Sequence, residues 1–344
     1  IKDFYIDDID FNPKSILKKI VLFTLLIQVV GSILLIPGLY KAGDQHFIFN
    51  SIFLSISAFC NAGFSPSSDS LSGFSGNWYV LSIIMGLIIL GGIGFVVFTN
   101  IAQKIRFARK GQIFYLSLHV KIVLISTVVL IVSGFVFTFI SFYKTSLWEI
   151  PLSKRILTAL FESVTLRTAG FETIPQTSFT SSASLFHLVL MFIGGSPGSI
   201  AGGVKTTTAF ITLLYLLDGN EQHTTVSFAN RRIPSTIINK SITIVSRSVL
   251  ILLISAILLS LVENQLISNG TISLIDIIYE SVSALATVGL SRSLTPQLSC
   301  LGKLIIIITM YIGRTGIYAM SIKSGFTGSD NEDLIYPEES LLVG

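Results

Sequence analysis

Apolar stretches long enough to cross a membrane alternate along this chain with apolar stretches that are too short. About 20 residues are needed to cross the hydrocarbon core. Residues 15–40 reach that length, 47–59 stop short of it, and 78–99 reach it again. The order then recurs: 116–141 long, 156–165 short, 184–217 long, followed by 242–261 long, 272–284 short and 301–321 long. Short apolar helices of this kind are core, interfacial or re-entrant. A polar segment, 1–14, precedes the pattern and a polar tail follows it.

Each short helix runs into a glycine loop: Asn61-Ala62-Gly63-Phe64, Thr168-Ala169-Gly170-Phe171 and Thr287-Val288-Gly289-Leu290. Gly63 and Gly170 lie 107 residues apart, Gly170 and Gly289 119 apart, and glycines recur 24 to 28 residues further on at Gly91, Gly194 and Gly313. Repetition of this kind sets the architecture before any single element does. The pattern predicts an all-α membrane protein of helix–pore helix–loop–helix units. The units are 15–112, 113–240 and 241–322, with 1–14 as a linker and 323–344 as a tail.

Composition agrees. Hydrophobic residues make up 51% and charged residues 12%, against roughly 25% charge in soluble proteins, and the mean hydropathy is +0.77. The net charge of +4 is too small to argue for a nucleic-acid partner. Cys60 and Cys300 suit neither a disulfide framework nor a zinc site and read as small buried apolar residues. His46, His119, His187 and His223 are scattered without ligand spacing, and no serine nucleophile motif is present. An intramembrane enzyme is therefore disfavoured.

Fourteen lysines and arginines fall on the side that holds the N-terminus, including Lys104, Arg106, Arg109, Lys110, Arg231 and Arg232. Seven, among them Arg167 and Arg292, fall on the side that holds the glycine loops. The bias predicts cytoplasmic termini and outward-facing loops.

Non-helical backbone at membrane depth needs protein or a wet cavity around it. Loops that converge on one axis present rings of carbonyls that replace the hydration shell of a cation. Glycine permits the torsions required, and no acidic side chain lies in these four-residue loops. The pattern points to an alkali cation held by main-chain oxygen, not to a divalent one held by carboxylates. Glycine also ends many helices, but simple caps do not account for three loops at matching distances from matching spans.

At these residues the chain resembles the Trk/Ktr/HKT superfamily of potassium-translocating membrane subunits, most closely the Ktr type. The likeness runs over essentially the whole chain and includes Gly202-Gly203-Val204-Lys205, Arg314-Thr315-Gly316, Arg231-Arg232-Ile233-Pro234 and Tyr336-Pro337-Glu338-Glu339. It implies K+ uptake across the plasma membrane, a homodimer in lipid, and a cytosolic nucleotide-binding regulatory ring (RCK type) docked on 101–112 and 217–240. It implies no cofactor beyond the transported K+. Na+ as a coupling or activating ion, a less selective cation channel and a non-conducting assembly subunit stay open. The family has four units where three are visible, so the first is expected to be absent here, with residues 1–13 as the linker that follows it. Cys60 and Leu166 depart from an asparagine and a proline common in relatives.

Between Gly194 and Gly203, in Gly194-Gly195-Ser196-Pro197-Gly198-Ser199-Ile200-Ala201-Gly202-Gly203, five glycines and a proline interrupt the span. Such residues disfavour helix, so a loop is expected there, and the resemblance makes it an intramembrane gate. A simple proline kink is the alternative. The near match of Gly198 to Thr206 to a phosphate-binding loop fails because Val204 displaces the lysine and no strand–helix context surrounds it. Arg314, at the position matching Gly92 and Gly195, is expected to raise the barrier to cations from within the membrane. Lys205 is expected at the cytoplasmic mouth.

Overall fold

A computed structural model describes residues 13–143, 145–218 and 226–315. The linker through 12, the tail from 316 and the family-like residues Gly316 and Tyr336 to Glu339 lie outside the described residues.

Each unit begins with a long apolar helix: α1 (Pro13–Lys41), α5 (Leu118–Ser141) and α9 (Ser235–Val262). All three are long and apolar enough to cross a membrane. Their outward faces carry exposed aliphatic side chains such as Leu22, Val129 and Leu253, as expected where lipid is the solvent. Short helices follow: α2 (Phe47–Phe59), α6 (Leu152–Thr165) and α11 (Leu274–Ala286). Each packs on the long helix of its own unit. Small residues permit the approach: a Cβ on Gly31 would lie 2.5 Å from Ser55 Oγ, and one on Gly134 would overlap Ser163 Oγ. Both serines donate to carbonyls of the long helix, Ser55 to Gln28 at 2.7 Å and Ser163 to Ile131 at 2.6 Å, the close polar packing that membranes favour. A five-residue helix, α10 (Asn264–Ser268), follows α9.

The third helix differs from unit to unit. In the last it is α12 (Cys300–Thr315). In the middle unit α7 (Ser181–Phe192) and α8 (Thr206–Asp218) flank an irregular segment, so the predicted break is a loop and not a kink. In the first unit the stretch 78–99 does not form one span. It bends by 94° between α3 (Trp78–Ile93) and α4 (Phe95–Arg109). The reason is Gly94, at φ 89° and ψ 150°, a conformation open essentially to glycine alone. A bend exposes helix carbonyls that need new donors. Those of Gly91 and Gly92 accept from Ile200 N at 3.4 Å and Ser196 N at 2.9 Å, and that of Ile93 accepts from Ser196 Oγ.

A Cβ at Gly94 would stand 2.8 Å from Ser196 Oγ and 2.9 Å from the Pro197 carbonyl. Gly94→Ala is therefore expected to cost about 2–3 kcal/mol from torsional strain and overlap together, read as a lower melting temperature of the purified protein. Unchanged melting would remove Gly94 as the hinge.

Cys300 is exposed at the start of α12 and Cys60 only half-buried, so neither is the fully buried apolar residue expected. The hairpin β1 (Val226–Phe228) and β2 (Arg231–Ile233) turns at Ala229 and Asn230, both at positive φ, and exposes Arg231 and Arg232.

Candidate ion pathway and gate

The three short helices end alike. Asn61 (φ 48°), Thr168 (71°) and Thr287 (52°) are left-handed, and two residues later Gly63 (72°), Gly170 (82°) and Gly289 (94°) are left-handed again. Asparagine tolerates this region; threonine does so at a cost of about 1–2 kcal/mol. Strain of this kind thus recurs at matched places in the three units.

The loops also meet. A Cβ on Gly63 would lie 2.5 Å from the Ala169 carbonyl oxygen and 3.0 Å from Gly170 Cα. One on Gly170 would overlap the Val288 carbonyl oxygen, whereas one on Gly289 would meet nothing within 4 Å among the described residues. The loops thus stand in series, Gly63 on Gly170 and Gly170 on the residue before Gly289, with the outer side of Gly289 open.

Side chains of the short helices hold the loops from behind. Ser57 Oγ donates to the Phe64 carbonyl and Thr165 Oγ1 to the Phe171 carbonyl, both at 2.7 Å. These two carbonyls each accept a hydroxyl from their own helix. In the last unit the matching Ser283 accepts from Gly289 N at 3.2 Å instead.

The recurring glycines bring the third helices close. A Cβ on Gly91 would overlap the Phe59 carbonyl and one on Gly313 the Leu285 carbonyl, each near the end of a short helix. At Gly194 the overlap is with Gly202, within the loop 193–205. This loop closes at its base through Gly194 N to Val204 O and Val204 N to Phe192 O, both 3.0 Å. Its tip hangs from the Gly94 bend. Gly202 packs under Thr287 and Ala286 of the last glycine loop, and Gly194 faces the Thr168 methyl. The glycine-rich segment therefore lies directly against two of the three filter-like loops.

Three cations attend it. Arg314 Nη1 donates to the Ile200 carbonyl at 2.9 Å. Lys205 Nζ donates to the Ala201 carbonyl at 2.5 Å, so it folds back on the loop. Both line a cavity of about 270 Å³ with Ser199, Thr208 and Ser248. Arg167, counted from sequence among the outward loop cations, is buried at 7% exposure and directs Nη2 toward the Gly194 carbonyl at 3.5 Å. Sequence reasoning missed it because a residue next to a loop counts as loop; only packing shows that it belongs to the interior.

Comparison with known proteins agrees with this architecture. The family described as "TrkH: Cation transport protein" matches residues 12–330. The chain belongs to the TrkH family of cation transport proteins. Relatives include the potassium/sodium uptake protein NtpJ of Enterococcus hirae, 33% identical over 94% of this chain and 70% of that protein. The Ktr system potassium uptake protein B of Vibrio alginolyticus is 34% identical over 97% of this chain and 71% of its own length. Among solved structures, the potassium transporter TrkH from Vibrio parahaemolyticus shares the fold at a TM-score of 0.70 and 17% identity. There 92% of this chain is covered but 66% of the other, so this TrkH-family chain spans about two thirds of the length of that solved relative. The family is one of transporters, not enzymes.

Proposed function

We propose that this chain forms most of the pore of a potassium-uptake system in the plasma membrane, with K+ passing between main-chain oxygens of the three glycine loops. The observation that carries the reading is the repeated left-handed pair at Asn61/Gly63, Thr168/Gly170 and Thr287/Gly289 on loops that touch in series. Such a backbone aims successive carbonyls one way and needs no acidic ligand. Because the Phe64 and Phe171 carbonyls are engaged behind the loops, the ligands are the carbonyls of residues 61–63, 168–170 and 287–289, with Leu290 beyond them. The open side of Gly289 supports a pseudo-fourfold ring closed by a fourth loop from outside the described residues.

Under this ring the segment 193–205 is the gate and Arg314 its cationic barrier, both termini facing the cytoplasm. Exposed Lys104, Arg106, Arg109, Lys110, Arg231 and Arg232 supply a basic surface for a cytosolic regulatory ring, and a second copy of the chain completes a homodimer. Sodium coupling is the second reading, favoured by the potassium/sodium naming of the Enterococcus relative.

The full-length protein, expressed in a bacterium deprived of its K+-uptake systems, is expected to restore growth at limiting K+ and to take up rubidium. Correct membrane insertion without rubidium uptake would refute the pore role. Dependence of that uptake on external Na+ decides between coupled transport and simple permeation.

A further inference from the structure

The short helices share a register in which Glu162 of α6 matches Glu280 of α11 and Leu54 of α2. The two glutamates occupy different surroundings. Glu280 accepts from Ser291 Oγ at 2.7 Å and also from Thr295 Oγ1, so each of its oxygens has a hydroxyl donor. Glu162 has no solvent exposure. Its Oε1 accepts from Gln176 Nε2 at 3.0 Å, and its Oε2 has no partner among the described residues.

Charge around Glu162 makes an ionised state worse. The nearest bonded group, Gln176, also donates its backbone N–H to Glu172 Oε1 at 2.8 Å, which brings a second carboxyl close. Arg292, the cation of this region, is committed elsewhere: to Asp276 at 2.7 Å, to the Gln176 carbonyl at 2.9 Å and to Ser184 Oγ at 2.7 Å. The other Gln176 side-chain atom accepts from Tyr279 OH of α11 at 2.8 Å. A fully buried carboxylate with one donor and no cation is costly, whereas the neutral acid is tolerated. The two matched carboxyl groups thus differ in donors: both oxygens of Glu280 are bonded, and one oxygen of Glu162 is bare among the described residues.

We propose that Glu162 works as a neutral carboxyl and is a positioning residue for ion selection, fixing through Gln176 the strand that leaves the middle glycine loop. Resting on the pore reading above, it assigns a role to a side chain that no ion touches. The strand is held at both ends: Thr165 Oγ1 grips the Phe171 carbonyl, and the chain from Glu162 through Gln176 to Tyr279 ties its far end to the next unit. Loss of the Glu162 link frees Gly170 to shift against the Val288 carbonyl that its Cα faces.

The test is rubidium uptake and its inhibition by Na+ in the full-length protein, normalised to purified membrane protein. Glu162→Gln keeps an acceptor at Oε1 and a neutral polar group at Oε2, and is expected to stay within about twofold of the parent in both readouts. Glu162→Leu, the side chain found at Leu54, is expected to lose about tenfold in discrimination between K+ and Na+. Gln176→Leu breaks the same link from the other side, is expected to match that loss, and decides the matter if Glu162→Leu does not accumulate. A glutamine variant as impaired as the leucine variant overturns the neutral role, and leucine variants with parental discrimination overturn the positioning role. Gly170→Ala, measured alongside, separates the two levels: parental discrimination in that variant sinks the pore reading itself.

Discussion

Gly170→Ala is expected to reduce rubidium uptake by at least about tenfold and to remove most discrimination against Na+. Two effects act together. At φ 82° an alanine pays about 1 kcal/mol for the left-handed torsion, and its Cβ has no room because the Val288 carbonyl oxygen occupies the site. Relief of that overlap must displace one of two loops whose carbonyls form the proposed ion path, and a selectivity site tolerates displacement poorly. The same change at Gly289 meets nothing within 4 Å among the described residues. Equal damage there in the full-length protein shows that another segment covers that side; a mild effect shows that the side stays open. Parental uptake and ion preference in Gly170→Ala would abandon carbonyl coordination by this loop.

Arg314→Ala is expected to act in the opposite direction and increase cation flux. The guanidinium lies against segment 193–205, bonded to the Ile200 carbonyl at 2.9 Å. In the proposed gate it would perform two tasks at once, anchoring the loop through Ile200 and placing positive charge on the path. A unit charge about 8 Å from a passing cation, at an effective dielectric of ~20, raises its energy by about 2 kcal/mol, equivalent to roughly thirtyfold in rate where that step limits flux. Arg314→Lys keeps the charge but loses the fork geometry, so it is expected to restore much of the barrier. Flux unchanged in both variants at normal protein levels assigns Arg314 to packing alone.

The two predictions depend on differently legible parts of the chain. The loops at Gly63, Gly170 and Gly289 stand out from sequence because repetition, helix length and glycine placement are properties of consecutive residues. The break at 194–203 stands out for the same reason, since five glycines and a proline cannot sustain a helix in any surroundings. The Gly94 bend does not. Apolar residues continue on both sides of it, and the donors that stabilise its freed carbonyls come from Ser196 and Ile200, about a hundred residues away.

Lys205 and Arg167 teach the same lesson about charge. Counting cations along the chain puts Arg167 in an outward loop and Lys205 within a span, and neither assignment shows that Arg167 turns to the Gly194 carbonyl and Lys205 to the Ala201 carbonyl. The direction of the Phe64 and Phe171 carbonyls is likewise invisible locally, because it depends on whether a serine or threonine seven or six residues earlier turns its hydroxyl toward the loop.

By itself, then, the sequence determined the solvent of this protein, the number and order of its visible units, and the places where helix must give way to loop. These follow from hydrophobicity and backbone propensity, which act over a few residues at a time. Tertiary structure alone decided which loops touch, which loop carbonyls are bonded to their own helices, that Glu162 keeps one bare buried oxygen while both oxygens of Glu280 have hydroxyl donors, and that segment 193–205 rests against two of the loops. Those outcomes come from steric exclusion and from the need of every buried polar group for a partner, and the partners are supplied by residues far apart in the chain.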